Sequence, residues 1–204
     1  MRWETFSALA SVGFLTHAFT LRTAEDTTTH AYQAGLLEAF GFSAGHCVGA
    51  EQTHGNGVAV SDAPAPGRVP GVDALATRTP GLPLVIRCAD CAAVYLIDRQ
   101  TPAIALIHSG KKGTQADVVG ATLAAMLREF ATDPRQCLAW IIPSIGPCHY
   151  EINLWDEIEA QLRRHGVPDV HSSRVCTACH PDRYYSYRAE LGHTGRMLAL
   201  LALT

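Results

Sequence analysis

Residues 82–110 have the sequence LPLVIRCADCAAVYLIDRQTPAIALIHSG, which contains three apolar runs of strand length, at residues 82–88, 92–98 and 103–108. Proline, glycine or charged residues bound each run, as is typical of short buried strands. The third run leads into His108-Ser-Gly-Lys-Lys-Gly, and a helical pattern follows at once. We therefore expect consecutive strands followed by a helix in this part of the chain.

Further elements are predicted on both sides of this segment. Short apolar runs at residues 58–60 and 138–142 indicate two more strands. We predict helices in four segments, at residues 32–40, 114–130, 154–165 and 195–203, and in the second of them the apolar residues between 119 and 130 form one face. Thr114, with Asp117 three residues later, resembles a capping box and is expected to start the second of these helices. The mixture of strands and helices predicts an α/β or α+β fold.

The composition favours a single domain over residues 1–204, in which the proline-rich stretch 61–70 is a surface loop. Hydrophobic residues make up 48% of the 204 residues and charged residues 17%, which excludes intrinsic disorder and collagen-like or coiled-coil chains. The 16 Lys and Arg nearly balance the 19 Asp and Glu, so no nucleic-acid partner is indicated. No apolar run approaches the roughly 18 residues that a membrane helix needs.

The cysteines and the N-terminal segment indicate a reducing compartment. Seven cysteines cannot all pair within one chain. Arg2 precedes an apolar stretch at residues 6–15, but the stretch is short, is interrupted by serine and glycine, and has no clear cleavage site. We interpret it as part of the fold rather than as an export signal. We therefore expect a cytoplasmic protein whose cysteines serve metal binding or catalysis.

The junction after the third apolar run is suited to an anion. A strand, a glycine loop and a helix start expose free N–H groups and the positive end of the helix dipole. Lys111 and Lys112 add two positive charges there. The spacing differs from that of a nucleotide P-loop, so we expect phosphate rather than a triphosphate. An ordinary tight turn with solvated lysines is the alternative.

Cys91 lies between the first two apolar runs, and His108 lies at the end of the third. Such a pair is either the nucleophile and base of a metal-free cysteine hydrolase or a pair of zinc or copper ligands. His54, in a glycine-rich loop, adds a third candidate ligand, and a His₂Cys set leaves a fourth tetrahedral position open, as in catalytic zinc sites. A non-catalytic binding module and an inert buried cysteine beside a histidine are the alternatives.

Two other cysteine motifs and three common enzyme signatures do not indicate a site in this sequence. Cys88-x-x-Cys91 and Cys176-x-x-Cys179 resemble the halves of a zinc ribbon, but Cys91 and Cys176 lie 85 residues apart, too far for such a site. Cys176-Thr-Ala-Cys179-His180 matches a haem-attachment spacing, which we interpret as coincidental because attachment requires export. The signatures of zinc nucleobase deaminases, zincins and ordinary α/β-hydrolases do not occur.

A collinear set of short blocks covers nearly the whole chain. The blocks are Gln52-Thr-His54-Gly-x-x-Val58, Asp73-Ala-Leu-Ala-Thr77-x-x-Pro80-Gly81, Ala89-Asp90-Cys91, His108-Ser-Gly-x-x-Gly113, Gly146-Pro147 with Tyr150-Glu151, Cys176-Thr177, Tyr184-Tyr-Ser-Tyr187-Arg188 and Thr194-Gly195-Arg196-Met197. This ordered set resembles the YfiH-like laccase-domain family, also described as multicopper polyphenol oxidase-like proteins. The resemblance implies an α+β fold with mixed β-sheets in α/β/β/α layers.

The same resemblance implies a metal-dependent enzyme in which His54, Cys91 and His108 bind the ion, usually zinc and sometimes copper. The implied partners are a purine nucleoside and phosphate. The implied reactions are phosphorolysis of adenosine, inosine, guanosine and methylthioadenosine, and deamination of adenosine. The older polyphenol oxidase (laccase) assignment is less favoured, because the ten histidines include no H-x-H pair for a multicopper centre. No oligomeric state is indicated.

The remaining candidate residues are expected to contact phosphate or substrate, and they are Gln52, Lys111, Lys112, Arg188 and Arg196. The two arginines are alternatively surface ion-pair residues. Asp90 is expected to carry a proton or to orient the neighbouring Cys91, and a purely structural hydrogen-bonding role is the alternative. The family usually has His-Ala-Gly-Trp-Arg-Gly where this chain has residues 108–113, so Lys112 replaces an arginine. Lysine lacks the bidentate guanidinium, so we expect weaker phosphorolysis or a different substrate.

Overall fold

The computed structural model describes residues 1–204 and contains two six-stranded sheets that pack face to face. In spatial order, the first sheet consists of β1 (Trp3–Glu4), β2 (Leu15–Thr20), β12 (Met197–Leu203), β7 (Leu84–Cys88), β3 (Val48–Ala50) and β5 (Arg68–Val69). The second consists of β11 (Asp169–Ser172), β10 (Cys137–Ile141), β8 (Ala92–Asp98), β9 (Ala103–Ser109), β6 (Ala74–Thr77) and β4 (Val58–Val60). The helices are α1 (Ser7–Ala10), α2 (His30–Ala39), α3 (Lys111–Gln115), α4 (Val118–Phe130) and α5 (Leu154–Arg164).

Both sheets are mixed. In the first, β3 runs parallel to β7 and β5, whereas β2 pairs antiparallel with β1 and β12, and β12 pairs antiparallel with β7. In the second, β8 pairs antiparallel with β9 and β10, and β6 with β9, while the edge strands β4 and β11 run parallel to their neighbours. The α+β class with mixed sheets is therefore confirmed.

The two faces of β8 explain why its sequence lacks polar alternation before Asp98. Ala93, Tyr95 and Ile97 point into the core between the sheets, and the alternate side chains, such as Val94 and Leu96, pack against α4 and α5. Because successive side chains of a strand point to opposite faces, a strand buried on both faces has no polar alternation. On the far side, α2 covers the first sheet. The molecule thus has α/β/β/α layers.

The predicted closing helix at residues 195–203 is wrong, because this segment forms β12 in the middle of the first sheet. Its odd-numbered residues from Met197 to Leu203 pack between the sheets, and Leu198 and Leu200 pack beneath α2. Leucine and alanine favour a helix in isolation. Here the burial of both faces and the ladders to β2 and β7 outweigh that preference.

The predicted helix start at Thr114 is also wrong. Thr114 lies inside the short helix α3, where its hydroxyl hydrogen-bonds to that of Ser109 at 2.8 Å. Asp117 then adopts a left-handed conformation with φ of 55° and ends the helical path. Its side chain accepts a hydrogen bond from Gly120 N–H at 3.3 Å, so Asp117 is the N-cap of α4.

The other predicted elements are confirmed, with small shifts of their ends. The three central runs form β7, β8 and β9, and the helices predicted at 32–40 and 154–165 form α2 and α5. The stretch 61–70 is a loop except for the two-residue edge strand β5. Phe6 and Leu9, from the N-terminal segment, pack in the core between the sheets. None of the helices combines the length and apolarity that a membrane crossing requires.

Candidate active site

Three chain segments bring the predicted metal ligands together. His54 lies in the loop between β3 and β4, Cys91 lies in the hinge between β7 and β8, and His108 lies near the end of β9. Their ligand atoms all lie within 4.8 Å of one another. The two imidazole rings meet edge to face, with ring centroids 5.0 Å apart. The convergence follows from topology, because the β8–β9 pairing places Ala92, next to Cys91, opposite Ser109.

Asp73, which the sequence analysis gave no role, organises this cluster. Its fully buried carboxylate bonds to His108 Nδ1 at 2.8 Å and accepts hydrogen bonds from His54 N–H at 2.9 Å and Gly55 N–H at 2.8 Å. The Nδ1 atom of His108 is thereby occupied, which leaves Nε2 for the cluster. The sequence signal was an acidic residue directly before the apolar strand β6.

The buried charges shift one another's pKa values. Burial alone would lower the pKa of His108, but hydrogen bonds to Asp73 and Cys91 outweigh it and raise that pKa to about 9. Burial would raise the pKa of Cys91, but hydrogen bonds to His108 and His54 lower it to about 6. Burial would likewise raise the pKa of Asp73, and its bonds to His108 and Gly55 lower it to about 2. The thiolate form of Cys91 is therefore favoured at neutral pH.

Gly110 lets the cluster close. A Cβ atom at this position would lie 2.6 Å from Cys91 Sγ and 3.3 Å from His54 Cδ2, so any larger residue would push these side chains apart. Gly110 is also the N-cap residue of α3, directly after β9. The predicted strand–glycine–helix junction thus lies against the cluster, and its glycine allows the close approach of Cys91 and His54.

A cavity of about 890 Å³ opens beside the cluster. All the residues that the sequence analysis predicted as catalytic, metal-binding or substrate-binding line this cavity: Gln52, His54, Asp90, Cys91, His108, Lys111, Lys112, Arg188 and Arg196. Tyr150, Tyr187 and Leu191 add apolar surface, and Tyr187 and Leu191 are 56% and 86% exposed at its mouth. The volume is within the range of small-molecule sites.

Two of the predicted contact residues are held by the protein itself. The Gln52 amide donates to Arg87 O at 2.7 Å and accepts from Arg87 N–H at 3.0 Å, so both of its polar atoms are engaged. The Asp90 carboxylate accepts from the Thr177 hydroxyl at 2.6 Å and from Arg188 N–H at 2.7 Å. Both side chains therefore tie loops together at the cavity wall.

The cavity wall is rich in cations, and one of them was missed in the sequence. Arg87, on β7, is half-buried, and its guanidinium has no acidic partner and no hydrogen bond in the structure. Burial, together with repulsion from Arg68 and Arg196, lowers its pKa to about 10. The signal in the sequence was a single charge inside the apolar run 82–88. An unpaired guanidinium at a cavity is suited to a bound anion.

The other cations differ in how freely they face the cavity. Lys111 pairs with Glu151 at 2.8 Å, and Arg188 lies 3.9 Å from the same carboxylate and over the Tyr150 ring. The Arg196 guanidinium donates to the backbone oxygens of the two residues before it. Lys112 is exposed and makes no ion pair, so it remains available to an anion.

Comparison with known sequences shows a family match and related proteins. Residues 21–154 and 151–204 match the family described as "Multi-copper polyphenol oxidoreductase laccase". A purine nucleoside phosphorylase of Deinococcus radiodurans is 32% identical over 197 residues, covering 84% of this chain and 76% of that protein. One of Bacteroides thetaiotaomicron is 35% identical over 161 residues, covering 63% of this chain and 60%, less than two thirds, of that protein.

Solved structures agree in fold. YlmD from Geobacillus stearothermophilus superposes with a TM-score of 0.88 at 23% identity, over 94% of this chain and 93% of that one. The Bacillus licheniformis protein YfiH superposes with a TM-score of 0.87 at 21% identity, over 93% of each chain. With the family match over most of its length, this chain belongs to the multi-copper polyphenol oxidoreductase laccase family, the YfiH-like family that its sequence blocks resemble.

Proposed function

We propose that this protein is a metal-dependent purine nucleoside phosphorylase, which cleaves a purine nucleoside with inorganic phosphate. The observation that carries the proposal is the unpaired Arg87 guanidinium in the same cavity as the cluster of His54, Cys91 and His108. Curated relatives at 28–35% identity carry the name purine nucleoside phosphorylase, which supports the same reaction.

In phosphorolysis, a phosphate oxygen forms a bond to the anomeric carbon while the bond from that carbon to the purine nitrogen breaks. The sugar gains positive charge in the transition state, and the purine takes up a proton as it leaves. We propose that Arg87 and Lys112 hold the phosphate, with Lys111, Arg188 and Arg196 at the rim of the same wall. These cations would orient the nucleophilic phosphate and compensate for its charge.

The cluster residues fit a zinc or copper ion. Two imidazole nitrogens and one thiolate sulfur lie close enough to share one ion, and Asp73 fixes the His108 ring as partners of metal-binding histidines commonly do. A bound ion would act as a Lewis acid at the edge of the cavity. Asp90 would position the Cys91 hinge, since both of its carboxylate oxygens are already hydrogen-bonded.

The substrate class follows from the shape of the cavity and its lining. Its volume accommodates a nucleoside and a phosphate together, and the Tyr187 ring and Leu191 at the mouth offer apolar surface to a purine base. We expect adenosine, inosine, guanosine or methylthioadenosine to bind there. Deamination of adenosine to inosine is a second reaction to test in the same cavity.

A chromatographic product assay on adenosine, with zinc-loaded protein and with or without phosphate, tests the proposal. We expect adenine and ribose 1-phosphate only when phosphate is present, and no product from His54→Ala. Inosine formed regardless of phosphate would instead establish deamination. Unchanged adenosine, inosine and guanosine under all conditions would contradict the nucleoside proposal.

A metal-free cysteine hydrolase is the second candidate, and one observation favours it. Cys91, His108 and Asp73 form a thiol–imidazole–carboxylate series in which the carboxylate bonds to His108 Nδ1 at 2.8 Å. This is the arrangement of an activated nucleophile. Hydrolysis of esters or amides by metal-stripped protein, abolished when Cys91 alone is alkylated, would support this candidate. Activity that requires zinc and is lost in His54→Ala would exclude it.

A further inference from the structure

A second cluster of metal-binding side chains lies outside the residues that line the cavity. Cys148 and His149 belong to the segment between β10 and α5. Cys176 precedes the 3₁₀ turn Thr177–Cys179, which follows β11, and Cys179 ends that turn. The four ligand atoms all lie within 4.8 Å of one another. Neither the proposed reaction nor the predicted metal site uses any of these residues.

Four of the six distances between ligand atoms in this cluster are close to the edges of a tetrahedron. Cys148 Sγ lies 3.5 Å from Cys179 Sγ, and His149 Nδ1 lies 3.3, 3.5 and 3.7 Å from the sulfurs of Cys148, Cys179 and Cys176. Tetrahedral zinc, with Zn–S near 2.3 Å and Zn–N near 2.0 Å, separates its ligand atoms by roughly 3.5–3.8 Å. A disulfide would need about 2.05 Å between sulfurs, so these thiols are free.

The backbone supports one member of the cluster directly. Cys176, which is 5% exposed, accepts a hydrogen bond from Gly146 N–H to its sulfur at 3.2 Å. Cys176 also forms an isolated parallel bridge with Ser144, so the two segments are joined beneath the cluster. Hydrogen bonds of this kind to a thiolate orient and stabilise it as a ligand. The other three side chains are exposed, which gives an ion a path to the site.

We propose that a structural zinc ion binds to the side chains of Cys148, His149, Cys176 and Cys179. A Cys₃His set is a common donor set for structural zinc, and it leaves no position open for substrate. The hard cations calcium and magnesium prefer oxygen ligands and do not suit three sulfurs. This ion is distinct from the one expected at His54, Cys91 and His108.

The proposed ion would also hold the wall of the active-site cavity. Tyr150 follows His149 directly and lines the cavity, and Thr177 follows Cys176 and donates its hydroxyl to Asp90. The ion would therefore tie the Tyr150 segment to the turn that fixes the Cys91 hinge. Its role would be positional, since none of its ligands lines the cavity.

Zinc content of the purified, reduced full-length chain tests the proposal by elemental analysis after desalting. We expect two zinc ions per chain in the unsubstituted protein, one in Cys179→Ser, one in His149→Ala, and one in His54→Ala. The double variant His54→Ala/Cys179→Ser should bind none. Two matched controls, Cys47→Ser and His180→Ala, change a cysteine and a histidine outside both clusters and should keep two.

Cobalt substitution gives a readout that does not depend on activity. Cobalt bound by three thiolates absorbs strongly in the near ultraviolet through thiolate-to-metal charge transfer. We expect this band to persist in His54→Ala and to fall to the level of a single thiolate in Cys179→Ser. Far-UV circular dichroism, together with the zinc that Cys179→Ser retains at His54, shows that the variant is folded.

Two results would overturn the proposal. One is the same zinc content in Cys179→Ser and His149→Ala as in the unsubstituted protein. The other is reduced protein that takes up no zinc at this cluster, with the same zinc content in His54→Ala as in the double variant. The nucleoside assay is separate from these measurements, so failure of one proposal does not imply failure of the other.

Discussion

Replacing Arg87 with methionine removes the half-buried guanidinium that faces the cavity and leaves the rest of its surroundings in place. The hydrogen bonds between Arg87 and Gln52 use backbone atoms of Arg87, so they survive the substitution. A hydrogen bond from a charged group contributes about 1.5–3 kcal/mol to binding. We therefore expect the KM for phosphate to rise roughly 10- to 100-fold.

The same substitution should not destabilise the fold. The Arg87 guanidinium has no acidic partner, and burial with repulsion from Arg68 and Arg196 lowers its pKa to about 10. Removing an unpaired charge from such a place relieves a desolvation cost rather than breaking an ion pair. Thermal unfolding of Arg87→Met should therefore occur at the same temperature as in the unsubstituted protein or at a higher one.

Steady-state kinetics at varied phosphate, together with calorimetric titration of phosphate into the protein, measure the effect with and without turnover. Arg78→Met is the matched control, because Arg78 is exposed and does not line the cavity. Equal phosphate affinity in Arg87→Met and the unsubstituted protein would refute the assignment of Arg87 as a phosphate ligand. So would a large fall in melting temperature, which would indicate a structural partner for Arg87.

Four further predictions test the site and the fold. Asp73→Asn should weaken zinc binding about 10- to 100-fold in chelator competition, because an amide cannot both orient His108 and accept the loop N–H groups; undiminished affinity would contradict this. Gly110→Ala should lose zinc while circular dichroism stays unchanged, since its Cβ would lie 2.6 Å from Cys91 Sγ. Lys112→Arg should lower the KM for phosphate several-fold by supplying a bidentate donor, and an unchanged KM would place Lys112 outside the phosphate site. Burial lowers the pKa of His17 to about 4, below the unfolded value of 6.5, so the stability that the neutral ring provides is present above pH 6.5 and is lost as the pH falls towards 4. Over that range the loss is roughly 3 kcal/mol in urea unfolding, and it should disappear in His17→Gln but persist in the exposed control His30→Gln.

The sequence predicted the convergence of Cys91 and His108 because the signal is local. The strands β8 and β9 are consecutive, are joined by a short turn and pair antiparallel, so the start of β8, next to Cys91, lies at the same sheet end as His108 near the end of β9. Asp73 and Arg87 were missed for the opposite reason. Each is a single charge in or beside an apolar strand. The role of Asp73 depends on partners from distant segments, and that of Arg87 on the absence of an acidic partner.

The error at β12 has a similar origin. An uninterrupted run of leucine, alanine and methionine suits a buried strand and a buried helix equally, because neither needs a polar face. The strand conformation is decided by the neighbours of β12, which are β7 and β2. Strand β2 lies about 180 residues earlier in the chain. Their ladders are long-range contacts, which no pattern within residues 195–203 contains.

The backbone at the active site is held in unusual conformations by contacts within the protein itself. Gln52, His54 and Asp90 are not glycines, yet they have φ values of 69°, 62° and 82°. Such conformations are costly and persist only where surrounding contacts hold them. Each of the three has such contacts: Gln52 pairs with the Arg87 backbone, the His54 N–H donates to Asp73, and the Asp90 carboxylate binds a hydroxyl and an N–H group.

These contacts change how two of the predicted site residues are understood. Gln52 and Asp90 lie at the cavity wall, but their polar atoms are committed to holding the loops that carry His54 and Cys91. Their effect on the reaction would therefore pass through ligand geometry, and substitution should alter metal affinity before it alters substrate affinity. Arg87 and Lys112 have no such commitments within the protein, and that freedom is the physical reason to assign the phosphate to them.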